Sequence, residues 1–371
     1  MYNTLFNYDT TLFADSVEVI PNSYDGFFVS GTYQLDEATR KRDGCVVLHQ
    51  LEGDNNHVHT FEKRSLSGIL DMKFNPQCVG QKHTLALALS DGYLSLLPLD
   101  LSNPSNTVWG REERLLINDP STICLSVDWS NQLNPSDTPL LAVSLSNGEV
   151  ALCAVTNSGL QLQSKWFGHT LPYTTVPAEV WIASFDPSNS HLVFSGGDDG
   201  LLKQWDSRVF PASNTPVSIT AGFEAGVTSI CWNKHDAEYL TVGSYDGHIR
   251  MFDRRQMKRA VSDFDVENNA GIWRIKYKHN ANFYLGENEQ GNETTKNEFL
   301  VAAMRAGFCV MEYDENRQIS AKVRYLEQGT ESLAYGVDYI NKKGCDLGKR
   351  EGFVGSCSFY NHLMHVWDYS Y

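Results

Sequence analysis

Residues 195–208 read SGGDDGLLKQWDSR, and residues 355–368 read GSCSFYNHLMHVWD. The first packs a strand, a tight Asp-Asp-Gly turn and a second strand ending in Trp205-Asp206 into a few positions, and the second repeats that layout with other residues. Glycine after an acidic residue suits a turn that needs a positive φ, and the flanking runs alternate as half-buried strands do. A paired-strand unit that recurs along one chain is the mark of a repeat architecture.

Aligning the turns counts the units. Asp91-Gly92, Asn147-Gly148, Asp199-Gly200 and Asp246-Gly247 each precede a strand, with Ala306-Gly307 and Asn361-His362 as weaker members. Their spacings of 56, 52, 47, 60 and 55 residues exceed a minimal propeller blade, so the surplus belongs to loops. Upstream of the pairs lie further alternating strands: SVEVIP at 16–21, GILDMKF at 68–74, TICLSVDW at 122–129, VWIASF at 180–185, VTSICW at 227–232, GIWRIKY at 271–277 and YGVDYI at 335–340. The expectation is an all-β fold: a seven-bladed WD40 β-propeller in one domain over 1–371, with blades opening near residues 14, 68, 122, 178, 226, 270 and 333. The chain stops after the third strand of the last blade, so residues 2–8 are expected to supply its outer strand and close the ring.

Composition narrows the function classes. Of the 371 residues, 42% are hydrophobic, ample for a large core. The start MYNTLFNYDT lacks a basic region and an apolar core, and no run approaches the roughly 18 residues that span a bilayer. No membrane partner is expected, and a reducing cytoplasm is. The eight cysteines are never closer than twelve residues, which excludes CxxC metal or redox pairs and leaves them as small buried apolar groups. In that compartment the triplet Asn292-Glu293-Thr294 is silent for glycosylation. A net charge of −15 argues against nucleic acid, since RKRDG at 40–44 and DRRQMKRA at 253–260 are the only dense basic runs and read as solvated loops. A basic protein or a cationic group is the better partner, with no metal and no cofactor. Residues 280–298 and 341–351 read as inserted loops on the face opposite the strand-pair turns.

No Gly-x-Ser-x-Gly, HExxH, GxxxxGK or GxGxxG occurs. Chemistry must come from residues that a propeller gathers at one mouth of its channel. Segments leading into inner strands offer Asp15, Asp71, His169, Glu179, Trp181, Trp273, Arg274 and Tyr335, and the turns add Asp198, Asp199, Tyr245, Asp246, Arg305, Tyr360 and His362. Gly168-His169 resembles the pair that precedes the inner strand of many WD repeats, which implies a structural tetrad of His169, Asp199, Ser195 and Trp205. Asp198 is spare in that scheme, and an Arg305 buried without a partner would be costly, so it pairs with a rim carboxylate or meets a ligand.

SGGDDGLLKQWDSR, GIWRIKYK at 271–278, SLAYGVDYI at 332–340, GSCSFYNHLMHVWD and the early ADSVEV and VSGTYQL together resemble the eukaryotic diphthine methyl ester hydrolase family over residues 14–371. Phe252-Asp253 in place of Trp-Asp, and the lack of Trp-Asp in the first three blades, depart from a regular repeat. The resemblance implies an enzyme of diphthamide biosynthesis that acts on elongation factor 2. It removes a methyl ester from methylated diphthine, a modified histidine carrying a trimethylammonium beside the esterified carboxyl. Such a site needs a cation-binding surface, a base and donors for a tetrahedral oxyanion. The expected binding groups are Trp181, Trp273, Tyr335, Tyr360 and Asp246. Glu179 or Asp198 would add charge, His169 or Asp198 would activate water, and Arg305 or the backbone N–H groups of Gly196-Gly197 would hold the oxyanion. A monomer is expected.

The rival reading is a non-catalytic WD-repeat adaptor. Trp205-Asp206-Ser207-Arg208 matches the WDxR box through which some such proteins dock on cullin-type ubiquitin ligases, and fold alone does not decide between the two.

Overall fold

A computed structural model describes the chain apart from residues 22, 24, 54, 78–80, 104–107, 210–214, 267–269, 279–296, 327–331 and 343–349. The described residues form seven antiparallel four-stranded sheets and no helix. After the N-terminal β1 (Tyr2–Asp9), blade 1 is β2 (Phe13–Val19), β3 (Phe27–Leu35), β4 (Arg42–Glu52) and β5 (His57–Ser67). Blade 2 is β6 (Ile69–Phe74), β7 (Lys82–Leu89), β8 (Tyr93–Asp100) and β9 (Glu113–Leu116). Blade 3 is β10 (Cys124–Trp129), β11 (Leu140–Leu145), β12 (Glu149–Thr156) and β13 (Gly159–Phe167). Blade 4 is β14 (Ile182–Asp186), β15 (Asn189–Gly196), β16 (Leu202–Asp206) and β17 (Ser218–Thr220). Blade 5 is β18 (Val227–Trp232), β19 (Tyr239–Ser244), β20 (His248–Asp253) and β21 (Ser262–Asp265). Blade 6 is β22 (Arg274–Tyr277), β23 (Glu298–Ala302), β24 (Phe308–Tyr313) and β25 (Ile319–Tyr325). Blade 7 takes β26 (Ala334–Ile340), β27 (Glu351–Ser358) and β28 (Leu363–Ser370) from the end of the chain and β1 from its start.

That closure is the expected one. β1 pairs antiparallel with β28 from Tyr2 opposite Tyr369 to Asp9 opposite Leu363, and so covers an edge that would otherwise expose backbone donors and acceptors. The ring is held by seven apolar clusters, one in each gap between neighbouring sheets. Leu48 and Val46 meet Ile69 and Leu87 between blades 1 and 2, and Phe28 and Val17 meet Val366 and Met364 across the closing seam. Apolar residues on both faces of each sheet therefore drive stacking around a circle.

Polar groups on the inner strands stitch the same gaps. Val19 N–H donates to Asp338 at 3.0 Å, Val127 N–H to Asp71 at 3.1 Å, Phe185 N–H to Asp128 at 2.9 Å and Ile275 N–H to the Ser229 hydroxyl at 3.1 Å. Each bond runs from one blade to the previous one and satisfies a buried inner-strand donor.

The WD-type tetrad forms in blade 4. The His169 ring nitrogens sit 2.8 Å from Asp199 Oδ1 and 2.7 Å from Ser195 Oγ, and Trp205 Nε1–H donates to the same hydroxyl at 2.7 Å. Lys203 completes it by donating to Asp199 at 2.9 Å and to the Gly168 carbonyl at 2.7 Å. Blade 1 departs from the repeat, because the β3–β4 loop has no Asp-Gly and is closed by Asp36 N–H to the Lys41 carbonyl at 2.9 Å. Of the basic run at 40–44, Arg42 to Gly44 belong to β4 rather than to the loop. The expected insertions fall between β22 and β23 and between β26 and β27; most of both, with the triplet at 292–294, Cys78 and Cys345, lies outside the described residues. The other six cysteines are free, five of them buried.

Candidate functional site

The register of each blade sets the start of its inner strand beside the end of its second strand, as with Ile182 opposite Gly196 and Ala334 opposite Ser358. Segments leading into inner strands and the turns after second strands therefore share one rim.

Aromatic rings on this rim form one unbroken arc over five blades, from blade 4 round to blade 1. Trp181, before β14, lies 5.7 Å from both Tyr245, in the β19–β20 turn, and Trp273, before β22. Trp273 lies 4.6 Å from Tyr335, which stacks on Phe359 at 4.6 Å, which in turn stacks on Phe13 at 4.7 Å. Tyr360 is 58% exposed and ends the arc with its edge against Phe13 and Phe359. Two glycines permit the packing. A Cβ on Gly271 would come within 2.8 Å of the Tyr245 ring, and one on Gly226 within 2.6 Å of Asp198 and 3.2 Å of Tyr245.

Carboxylates border the arc at Trp181. Its Nε1–H donates to Asp198 Oδ1 at 2.5 Å, and the Asp198 N–H donates to the Glu179 carbonyl at 2.9 Å. Gly197 makes that approach possible, since a Cβ there would lie 2.7 Å from the same carbonyl. Burial, and then the charge of Asp198, holds the Glu179 carboxyl above its ordinary range. Burial pushes the phenols of Tyr245 and Tyr335 up as well, so both keep their protons across physiological pH. Asp15, at the start of the blade 1 inner strand, is 2% exposed and its Oδ1 has no hydrogen-bond partner among the described residues. Burial drives its carboxyl well above the ordinary range; Arg274 opposes that shift and Asp71 adds to it. The indole N–H of Trp273 is likewise buried without a partner there.

Glu179, Trp181, Asp198, Trp273 and Tyr335 are thus brought to one rim. Arg305 is exposed on the β23–β24 turn and makes no ion pair among the described residues. Two expectations change. His169 is 1% exposed with both ring nitrogens committed to the tetrad, so no lone pair is open to water. Asp246 accepts from Arg250 at 2.8 Å and from the Glu224 and His248 N–H groups at 3.1 and 3.0 Å, which spends it on its own turn rather than on a ligand. Arg208, just after β16, folds back onto Asp206 at 2.6 Å. Phe13 and Phe359 were not anticipated; the pairing of Phe359 with Tyr360 after β27 is the signal that marks them.

The rings touch one another in sequence along the arc. A cavity of about 150 Å³ lies elsewhere in the channel, walled by Ser184 and Ser229 at mid-strand, by Arg274 at the start of β22 and by Phe74, Trp232 and Asn341 at the far ends, and no ring of the arc lines it. Several of its charges are paired, with Lys276 3.2 Å from Asp338 and also bonded to Glu18, and Lys73 3.1 Å from Asp71. Among the described residues no group of three or more His, Cys, Asp or Glu side chains is arranged to hold a metal ion. Partly buried aromatic rings beside a carboxyl held above its ordinary range form a combination that can attract a cation and take a proton.

Comparison with known proteins bears on the same chain. The WD domain, G-beta repeat family matches residues 161–206 and 214–253. Diphthine methyltransferase of Mus musculus is 32% identical over 355 residues, covering 89% of this chain and 68% of that protein. The Homo sapiens protein of the same name is 31% identical, covering 89% and 73%, and a Dictyostelium discoideum diphthine methyltransferase homolog is 29% identical, covering 95% and 96%. Among solved structures, a chain of a mitotic checkpoint complex superposes with a TM-score of 0.64 at 12% identity, over 100% of this chain and 94% of that one, which shows the fold alone.

Proposed function

The chain belongs to the diphthine methyltransferase family, and from that premise we propose that it acts in diphthamide biosynthesis on elongation factor 2, hydrolysing the methyl ester of methylated diphthine. The observation that carries this reading is the join of Trp181, Asp198 and Glu179 at one end of the aromatic arc.

The trimethylammonium docks on the outward faces of Trp181, Tyr245 and Trp273, each ring contributing roughly 0.5–2 kcal/mol of cation–π attraction. Asp198 adds a negative charge beside it. That places the ester near Glu179, whose raised proton affinity matches a general base better than an ordinary carboxylate does. Glu179 takes a proton from water as the water oxygen bonds to the ester carbonyl carbon. Arg305, exposed on the β23–β24 turn of the same rim, receives the developing oxyanion. Collapse breaks the bond to the methoxy oxygen, which recovers the proton from Glu179 and leaves as methanol. His169 shapes the turn that carries Asp198 and takes no proton.

The relatives' name describes methyl transfer rather than ester hydrolysis, and the two differ in where the methyl group goes. Purified protein is incubated with methylated-diphthine elongation factor 2, and separately with unmethylated diphthine and S-adenosylmethionine carrying a labelled methyl. Methanol release in the first reaction supports hydrolysis; label on the factor in the second, without methanol in the first, overturns it.

A further inference from the structure

The segment that leads from the tetrad to the aromatic arc makes a detour. Residues 170–177, TLPYTTVP, form a small hairpin on the rim, closed by a bridge between Thr170 and Pro177 and by Leu171 N–H to the Val176 carbonyl at 2.9 Å. Thr174 braces its tip, donating from N–H and hydroxyl to the Leu171 carbonyl at 3.2 and 2.9 Å and accepting the Val176 N–H at 3.1 Å. Its base is fixed by Ala178 N–H to the carbonyl of the buried His169 at 3.2 Å.

This braced hairpin holds apolar side chains in water. Tyr173 is 107% exposed, Val176 53% and Leu171 37%. Tyr173 also has a φ of 59°, a conformation that non-glycine residues enter at a cost. Among the described residues no ring contact, ion pair or side-chain hydrogen bond of Tyr173 repays that exposure, and an exposed aromatic flanked by aliphatic groups on a braced mount is the composition of an interface anchor.

We propose that the 170–177 hairpin is a docking finger that seats Tyr173, flanked by Leu171 and Val176, on an apolar recess of the folded protein that carries the esterified side chain. Position selects that occupant. The finger ends two residues before Glu179 and four before Trp181, on the rim where the cation docks, so a protein presenting a side chain to Trp181 must pass over it. Tyr360, at the other end of the arc, offers a second exposed ring on the same face. The proposal rests on the reading that the substrate group is borne by a protein.

The test compares wild type with a Leu171→Ser/Tyr173→Ser/Val176→Ser variant, whose changes lie on an exposed loop. Three quantities are read: binding of purified elongation factor 2, hydrolysis of the methylated factor, and hydrolysis of glycine betaine methyl ester, a small ester with a trimethylammonium. The expected result is binding weakened roughly 30-fold or more and a matching rise in KM on the factor, as loss of an anchor gives, with unchanged kinetics on the small ester. If wild type binds the factor but hydrolyses neither ester, the hydrolase reading fails, while lost binding in the variant still supports the finger. Unchanged binding in the variant overturns the finger, as does equal loss on both esters. A wild-type dimer that the variant turns into monomer also overturns it, since a second copy then occupies the finger.

Discussion

The indole N–H of Trp181 donates to Asp198 Oδ1 at 2.5 Å, tying the segment that opens blade 4 to the turn between β15 and β16. The bond orients the indole and sets a negative charge at its edge, which deepens the attraction of the ring for a cation.

Asp198→Asn keeps an oxygen to accept that bond and removes the charge. KM for the trimethylammonium ester is expected to rise about 10-fold, ~1.4 kcal/mol, and KM for an uncharged isostere to stay the same. Steady-state kinetics on the paired esters check this, and equal effects on both would remove Asp198 from cation binding.

Glu179→Gln removes the base and leaves the surface shape. The expected result is a kcat lower by about 10²–10⁴ with KM little changed. The rising limb of the wild-type rate against pH reports the Glu179 carboxyl and lies above the ordinary carboxylate range, because burial and Asp198 both raise it. A profile flat through that limb would contradict the assignment.

His169→Ala is expected to act on the fold rather than on the reaction. It strands Asp199, whose carboxyl burial alone would raise and which bonds from His169 and Lys203 hold below its ordinary range. Denaturant unfolding should show a loss of about 2–4 kcal/mol, with kcat per folded molecule close to wild type.

Buried histidines set an acid limit to stability. Burial lowers His49 to about 3 and His365 to about 4. A depressed histidine contributes stability that is present above its unfolded value near 6.5 and is lost as pH falls toward the folded value. Between pH 6.5 and about 4.5 the His49 share of that loss is about 2 kcal/mol, the slope reaching about 1.4 kcal/mol per unit once the pH is well below 6.5. Wild type should lose stability relative to His49→Asn by that amount over this window, measured by urea unfolding at each pH.

The blades were legible because their signals are local. A period of two and an Asp-Gly turn are set by neighbouring residues, so β8, β12, β16 and β20 stand where the pattern predicts. The β3–β4 turn was hidden because a longer loop, not a glycine, closes it. Site residues were legible only as a set sharing a rim. Asp246 looked like Asp198 because both are turn carboxylates, yet Asp246 has Arg250 four positions on, as Asp199 has Lys203, and that spacing marks a carboxylate committed to its own strand. The contact of Phe13 with Phe359 joins the two ends of the chain across the closing seam, a distance no local pattern spans. The mutual packing of the rings also depends on the missing side chains of Gly226 and Gly271, which a sequence pattern reads only as loop glycines.

The most direct test of the central claim is hydrolysis of methylated-diphthine elongation factor 2 in heavy-oxygen water, with both products weighed. Attack of water on the ester carbonyl predicts one heavy oxygen in the diphthine carboxylate and methanol of ordinary mass. Heavy methanol, or a factor that retains its methyl group in the presence of the folded protein, would contradict it.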